Sequence, residues 1–188
     1  MGINFHDGKN RHTYTTRIAN DSWMEAVKKI VSIEKVTNAA DIGCGGGIYV
    51  KALADMGVPC IVGVDFSQSN LDGAVENCKD YKNIYFKHGN AFDTLLEENR
   101  YDLVLARALI HHLRNIEFCF KEAHRILKHG GVYFVQDRTP EDCSLPGDLE
   151  HIRGYIFERF PSLLEKEKVR RHKSEIVKES LISVALLR

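Results

Sequence analysis

The sequence has no apolar run approaching the roughly 20 residues that span a bilayer. Its N-terminus is interrupted by Asp7, Lys9 and Arg11 and has no signal-peptide core. The expectation is a cytoplasmic protein. There is no excess of either charge: Lys plus Arg and Asp plus Glu number 26 each. No global field therefore exists to hold nucleic acid or an anionic membrane. The five cysteines are odd in number and scattered, and neither Cys-x-x-Cys nor His-x-x-x-His spacing occurs. A disulfide framework and a zinc site are both disfavoured, and no metal is expected. The Gly-Lys-Ser/Thr ending of a phosphate-cradling loop is also missing. What remains is a chain of 188 residues, 44% apolar and 28% charged, which suits one soluble α/β domain with a core of its own.

The stretch around which the chain is organised runs from Asn38 to Gly47, Asn-Ala-Ala-Asp-Ile-Gly-Cys-Gly-Gly-Gly. It joins an apolar strand, Val36 to Ile42, to a helix, Ile48 to Met56, through a turn in which glycine permits positive φ and close approach of a ligand. Backbone amides are expected to line the ligand's path. A dinucleotide fingerprint beginning at Gly43 and Gly45 would need a small third residue where Ile48 stands. Asp41, two residues before the first glycine, would repel a pyrophosphate and attract an ammonium or sulfonium. The ligand is read as cationic, and a nicotinamide oxidoreductase becomes the weaker reading.

Asp41-Ile-Gly43-Cys44-Gly45-Gly-Gly47 resembles the D/E-x-G-x-G-x-G first motif of class I S-adenosylmethionine-dependent methyltransferases. Later segments resemble the rest of that family in order. Cys60 to Val64 is an apolar strand ending in Asp65, 22 residues beyond Gly43. The resemblance implies that Asp65 accepts the ribose hydroxyls and that Phe66 packs on adenine. Ser67 caps a helix to about Asp80 with Leu71, Ala74, Val75 and Cys78 inward, and Asn83 to His88 is the third strand. Gly89-Asn90-Ala91 resembles the third motif, where Asn90 and the Ala91 amide would read the adenine edge, although it also reads as a simple turn. The fourth strand, Tyr101 to Arg107, leads into Ala108-Leu-Ile-His111-His112. Strands one and four flank the point where the winding reverses, so Gly43 and Arg107 should face one crevice. Arg107 would hold the cofactor carboxylate or an anionic substrate. Leu-Lys-His-Gly130-Gly131 resembles the family's helix-to-strand unit; it is expected to stop a helix that Asn115 caps and to start strand five, Val132 to Val135.

The resemblance implies a single methyltransferase domain, 1–188, divided into an arm and helix (1–35), a cofactor-binding core (36–138) and a helical C-terminal segment (139–188). In the arm, Tyr14 and Arg17 either meet the cofactor or belong to a surface strap. The helix carrying Trp23 and Val27 covers the sheet. The implied fold is a Rossmann-like doubly wound parallel sheet of order 3-2-1-4-5 with helices on both faces. After residue 138 the pattern reads helical over His151 to Leu164, and Ser174 to Arg188 is a helix or, over Leu181 to Leu187, a strand. Strands six and seven are therefore expected to be missing or incomplete, leaving the edge of strand five to a helix or to a second copy in a homodimer. Asp137, Arg138, Glu141 and Asp142 form a polar lip where an acceptor would enter.

The implied function is methyl transfer from S-adenosylmethionine, with S-adenosylhomocysteine as product, to a small organic acceptor. His111, His112 and Asp137 are the candidate bases; a histidine in such a turn also reads as structural. Neither Asn-Pro-Pro-Tyr nor Asp-Pro-Pro-Tyr follows strand four, which argues against amino-group methylation in nucleic acid or protein. A binding module that keeps the cofactor site without turnover is the alternative, motivated by the shortened sheet.

Overall fold

The structure, a computed structural model, describes residues 17–138, 170–172 and 181–187. Asn20 caps the first helix, α1 (Asp21–Ile30), its side chain accepting the Trp23 N–H at 2.8 Å. After a 3-10 turn at Ile33–Lys35 come β1 (Asn38–Ile42), α2 (Ile48–Asp55), β2 (Cys60–Asp65), α3 (Gln68–Asn77), β3 (Ile84–His88) and β4 (Tyr101–Arg107). A second 3-10 turn, Ile110–His112, leads to α4 (Ile116–Ile126), β5 (Leu127–Arg138), β6 (Arg170–His172) and β7 (Leu181–Leu187). The five strands β3-β2-β1-β4-β5 pair in parallel in the order expected of the doubly wound core.

Alternation along the strands assigns the helices to their faces. Ala39, Ile61, Leu103 and Leu105 point to one side, where Trp23 and Val27 of α1, Val50 and Leu53 of α2 and Leu71 of α3 cover them. Ala40, Ile42, Val64, Val104 and Ala106 point to the other, against Ile116, Ala123 and Ile126 of α4. Buried on both faces beyond the polar Asn38 that opens it, β1 reads as an apolar run broken by Asp41. Ile42, Leu53, Ile61, Leu103 and Leu105 are almost fully enclosed. Truncating one to alanine removes about 2–5 kcal/mol, a large share of the stability of about 5–15 kcal/mol usual for a domain.

Asp102 braces the lower end of the sheet. Its Oδ2 accepts from Thr37 N at 3.0 Å, Thr37 Oγ1 at 2.6 Å and Asn38 N at 2.9 Å, and Lys128 Nζ donates to Oδ1 at 2.7 Å. Burial pushes this carboxyl up, but Lys128 and the Thr37 and Asn38 donors outweigh it and bring it down to about 2.

Several expectations need correction. The sheet is not cut short at five strands: β7 pairs antiparallel with β5 over seven residues, Val132↔Leu187 to Arg138↔Leu181, and β6 pairs with β7. Of the two readings of the C-terminus, the strand over Leu181–Leu187 is the one found; the run is apolar almost throughout and defines no helical face. As a strand it pairs the backbone groups that the edge of a 12-residue β5 would expose. With β7 in that place, the β5 edge is not available for the suggested homodimer. Gly130 and Gly131 do not end α4, which stops at Ile126; β5 begins at Leu127 and absorbs the glycine pair, with a register shift between Tyr101 and Leu103 on its neighbour. Val75, read as inward, is 54% exposed. The helix expected over 151–164, the lip residues Glu141 and Asp142, and Tyr14 all lie outside the described residues.

Candidate active site

The carboxyl ends of β1, β2, β4 and β5 open into one cavity of about 830 Å³. Gly43, Cys44, Gly45, Asp65, Phe66, Asn90, Ala91, Arg107, His111, His112, Asp137 and Arg17 all line it. Asp41 does not. It lies behind the turn, 2% exposed, and its carboxyl is raised well above the usual range by burial first and by Asp65's charge second, against the opposing pull of Arg107.

The glycine turn is fastened to β2. The Gly43 and Cys44 amides both donate to Val64 O, at 2.8 and 3.0 Å, and the Gly45 amide donates to Asp65 Oδ2 at 2.9 Å. These three amides therefore hold the turn together and do not line the ligand's path. What the glycines provide is shape. Gly43 has φ +77°, and a Cβ there would stand 2.8 Å from the Leu109 side chain. At Gly45, φ +52°, a Cβ would meet nothing within 4 Å, so a side chain would take up ligand space.

Asp65 joins two turns. Oδ2 takes the Gly45 amide, while Oδ1 takes the Ser67 amide at 2.9 Å and Asn70 Nδ2 at 3.4 Å. It is 7% exposed, and each carboxylate oxygen has further lone-pair capacity for a ligand hydroxyl. Cys44 is buried, and its thiol is pushed well up by burial and by the charges of Asp41 and Asp65, so it stays protonated and is no nucleophile. Asn90 Oδ1 accepts from Phe92 N at 2.8 Å and Asp93 N at 3.0 Å, closing a turn of its own. The acceptor assigned to adenine is thus occupied locally, and the side-chain amide donor is what Asn90 offers.

Across the cavity, β4 ends in a bend in which Ala108 takes φ +50°, a left-handed conformation that a β-carbon disfavours. The bend sets Leu109 against Gly43 and starts the turn carrying His111 and His112. His111 Nδ1 lies 2.6 Å from Asp137 Oδ1, and the two residues are 8% and 2% exposed.

Tyr49 and Gln136, not singled out in the sequence, complete the wall. The Arg107 guanidinium lies 4.5 Å over the Tyr49 ring, and its Nε donates to Gln136 Oε1 at 3.2 Å. Trp23 Nε1 donates to the same oxygen at 2.7 Å, and its ring stands 4.7 Å from Tyr49. Helix α1 therefore does more than cover the sheet. The available signals were a lone tryptophan whose N–H needs a buried acceptor, and a glutamine ending an apolar strand.

A family model for the methyltransferase domain matches residues 40–135, just over half of the chain. The chain belongs to the methyltransferase domain family. Its fold is that of solved S-adenosylmethionine-dependent methyltransferases, and the family matched is a methyltransferase domain and not an oxidoreductase. A curated relative, demethylmenaquinone methyltransferase of Staphylococcus aureus (strain JH9), is 30% identical over 112 residues, covering 58% of this chain and 46% of its own. The chain spans about half the length of the curated relatives it matches. In fold, it is similar to a proposed S-adenosyl-L-methionine-dependent methyltransferase of Methanococcus maripaludis (22% identity, TM-score 0.74, covering 100% of this chain and 95% of that one). It is also similar to phosphoethanolamine N-methyltransferase 1 of Haemonchus contortus, solved with phosphoethanolamine and S-adenosylhomocysteine (22% identity, TM-score 0.54, covering 74% and 32%).

The residues of this methyltransferase domain fit the cofactor. A buried carboxylate with spare acceptor capacity stands beside a turn whose Gly45 position leaves room for a ligand, and that carboxylate would repel a polyphosphate. Among the described residues no helix is long and apolar enough to cross a membrane.

Proposed function

We propose that the chain binds S-adenosylmethionine in the cavity and transfers its methyl group to a small organic acceptor by in-line displacement. Asp65 would hold the ribose, Phe66 the adenine with Asn90 and Ala91 at its edge, and Arg107, propped by Tyr49 and Gln136, the carboxylate end together with Arg17. When bound, the cofactor supplies a methyl carbon already activated by its sulfonium leaving group. The chain's own work is then alignment and exclusion of water, for which orientation contributes roughly 7–11 kcal/mol.

One observation carries this reading: the glycine turn and Asp65 are hydrogen-bonded into one unit at one end of the cavity, and the His111–Asp137 pair stands in its opposite wall. A small acceptor is supported by the balanced charge of the chain and by a relative named for demethylmenaquinone. The non-catalytic binding module lost its motive when the sheet proved to have seven strands. Calorimetry with S-adenosylmethionine tests the binding step, with saturable binding expected. Incubation with labelled cofactor and a cell extract tests transfer: label in a low-molecular-weight product is expected, and label in protein or nucleic acid alone would refute the acceptor class.

A further inference from the structure

The His111–Asp137 pair has a chemistry that cofactor binding does not use. The carboxylate grips the histidine twice, Oδ1 lying 2.6 Å from Nδ1 and Oδ2 accepting the backbone N–H at 3.3 Å. The two residues come from different elements, the turn after β4 and the end of β5, so the pairing is built by the fold and not by sequence proximity. A carboxylate on Nδ1 draws the ring proton to that nitrogen and makes Nε2 the basic site. The His112 ring, 3.9 Å away and tilted 45°, packs against it. Leu109 and Leu113, which flank the pair and line the same cavity, give an apolar wall suited to a ring.

Resting on the methyl-transfer reading above, we propose that His111 takes a proton from the methyl acceptor, that Asp137 positions it, and that the acceptor is a neutral hydroxyl or carbon acid on an apolar ring. A neutral amine attacks through an existing lone pair and needs no such base during transfer; a hydroxyl or ring carbon does. The acceptor's O–H or C–H bond breaks, its proton forms a bond to Nε2 and its electron pair remains on the acceptor. That electron density forms the bond to the methyl carbon, and the carbon–sulfur pair leaves with the sulfur of the sulfonium methyl donor. One positive charge disappears at sulfur and one appears on the imidazolium, where Asp137 stabilises it.

The test compares the wild-type chain with Asp137→Asn and His111→Ala, using naphthohydroquinone and benzylamine as probes. Calorimetry should give all three proteins the same affinity for S-adenosylmethionine. The wild type should methylate naphthohydroquinone, and Asp137→Asn should lower kcat by about 10²–10⁴-fold with little change in KM for the probe. Added imidazole should restore part of the activity of His111→Ala. Nitrogen NMR of the wild type should show the His111 proton on Nδ1, moving toward Nε2 in Asp137→Asn. Methylation of benzylamine alone, or an undiminished kcat in Asp137→Asn, overturns the proposal while leaving methyl transfer intact. If neither probe is methylated, the spectrum decides: a wild-type ring protonated on Nε2 overturns the assignment, and one protonated on Nδ1 supports it. Failure of the wild type to bind the cofactor removes the underlying methyl-transfer reading instead.

Discussion

Replacing Asp65 by asparagine separates the two roles its geometry gives it, as a staple and as a ligand-binding group. The amide keeps one acceptor oxygen and sets an NH₂ group against either the Gly45 or the Ser67 amide, both now 2.9 Å from carboxylate oxygens. One backbone donor is left unpaired at a site only 7% exposed, a loss of about 1–3 kcal/mol. In a chain of this size each kcal/mol lowers Tm by roughly 2–4 °C, so a fall of about 2–12 °C is expected. A ribose hydroxyl bonded to a charged acceptor contributes roughly 1.5–3 kcal/mol. Losing one such bond weakens the Kd by about 10–150-fold. Thermal unfolding measures the first effect. Calorimetry with S-adenosylmethionine, well below the variant's Tm, measures the second. A lowered Tm with wild-type affinity would refute the ribose role and leave Asp65 as a staple for the two turns.

Asp41 is raised by burial and binds its proton more tightly in the folded chain. Its favourable contribution is complete below the unfolded value near 3.8 and is lost as pH rises through the folded value. Asp41→Asn should therefore gain stability relative to wild type at pH 8 but not at pH 4, and thermal unfolding at the two pH values checks this. Asp102, held at about 2 by Lys128 and the Thr37 and Asn38 donors despite its burial, has the opposite sign: its contribution is present above 3.8 and is lost as pH falls through about 2. An acid titration followed by circular dichroism should show that limb in the wild type and not in Asp102→Asn. Gly43→Val forces a β-branched residue to φ +77° with its Cβ 2.8 Å from Leu109; backbone strain alone is roughly 1–3 kcal/mol. Cofactor binding should be abolished, and the companion change Leu109→Ala should not restore it, as calorimetry on the double variant would show. Trp23 is the single tryptophan and touches Tyr49 in the cavity wall, so its fluorescence should respond to S-adenosylmethionine in a saturable way.

The parts legible in the sequence are those whose cause is local. The glycine turn, the capped starts of α1, α3 and α4 and the acid ending β2 each follow from residues within a few positions of one another. The crevice shared by Gly43 and Arg107 followed from strand order, a topological rule that needs no side-chain detail. What was not legible depends on partners far apart in the chain. Gln136 shares its oxygen with Trp23, 113 residues away, and nothing near either residue announces the pairing. The fate of Leu181–Leu187 turned on whether β5 had an open edge, and β5 itself extended past the glycine pair expected to precede it. The amides of the turn were assigned to a ligand because their competing acceptors, Val64 O and Asp65, lie on another strand.

Helix α1 lies upstream of residues 40–135, the span by which the family is known, yet its tryptophan steadies the glutamine that in turn steadies Arg107. The glycine turn and the upstream helix thus contribute to the site separately, the helix through the guanidinium of Arg107. A chain trimmed to start at β1 would keep the glycine bend and its acid but lose the prop beneath that cation. Swapping the leading helix between relatives is accordingly a route to retuning what the site holds without touching the turn.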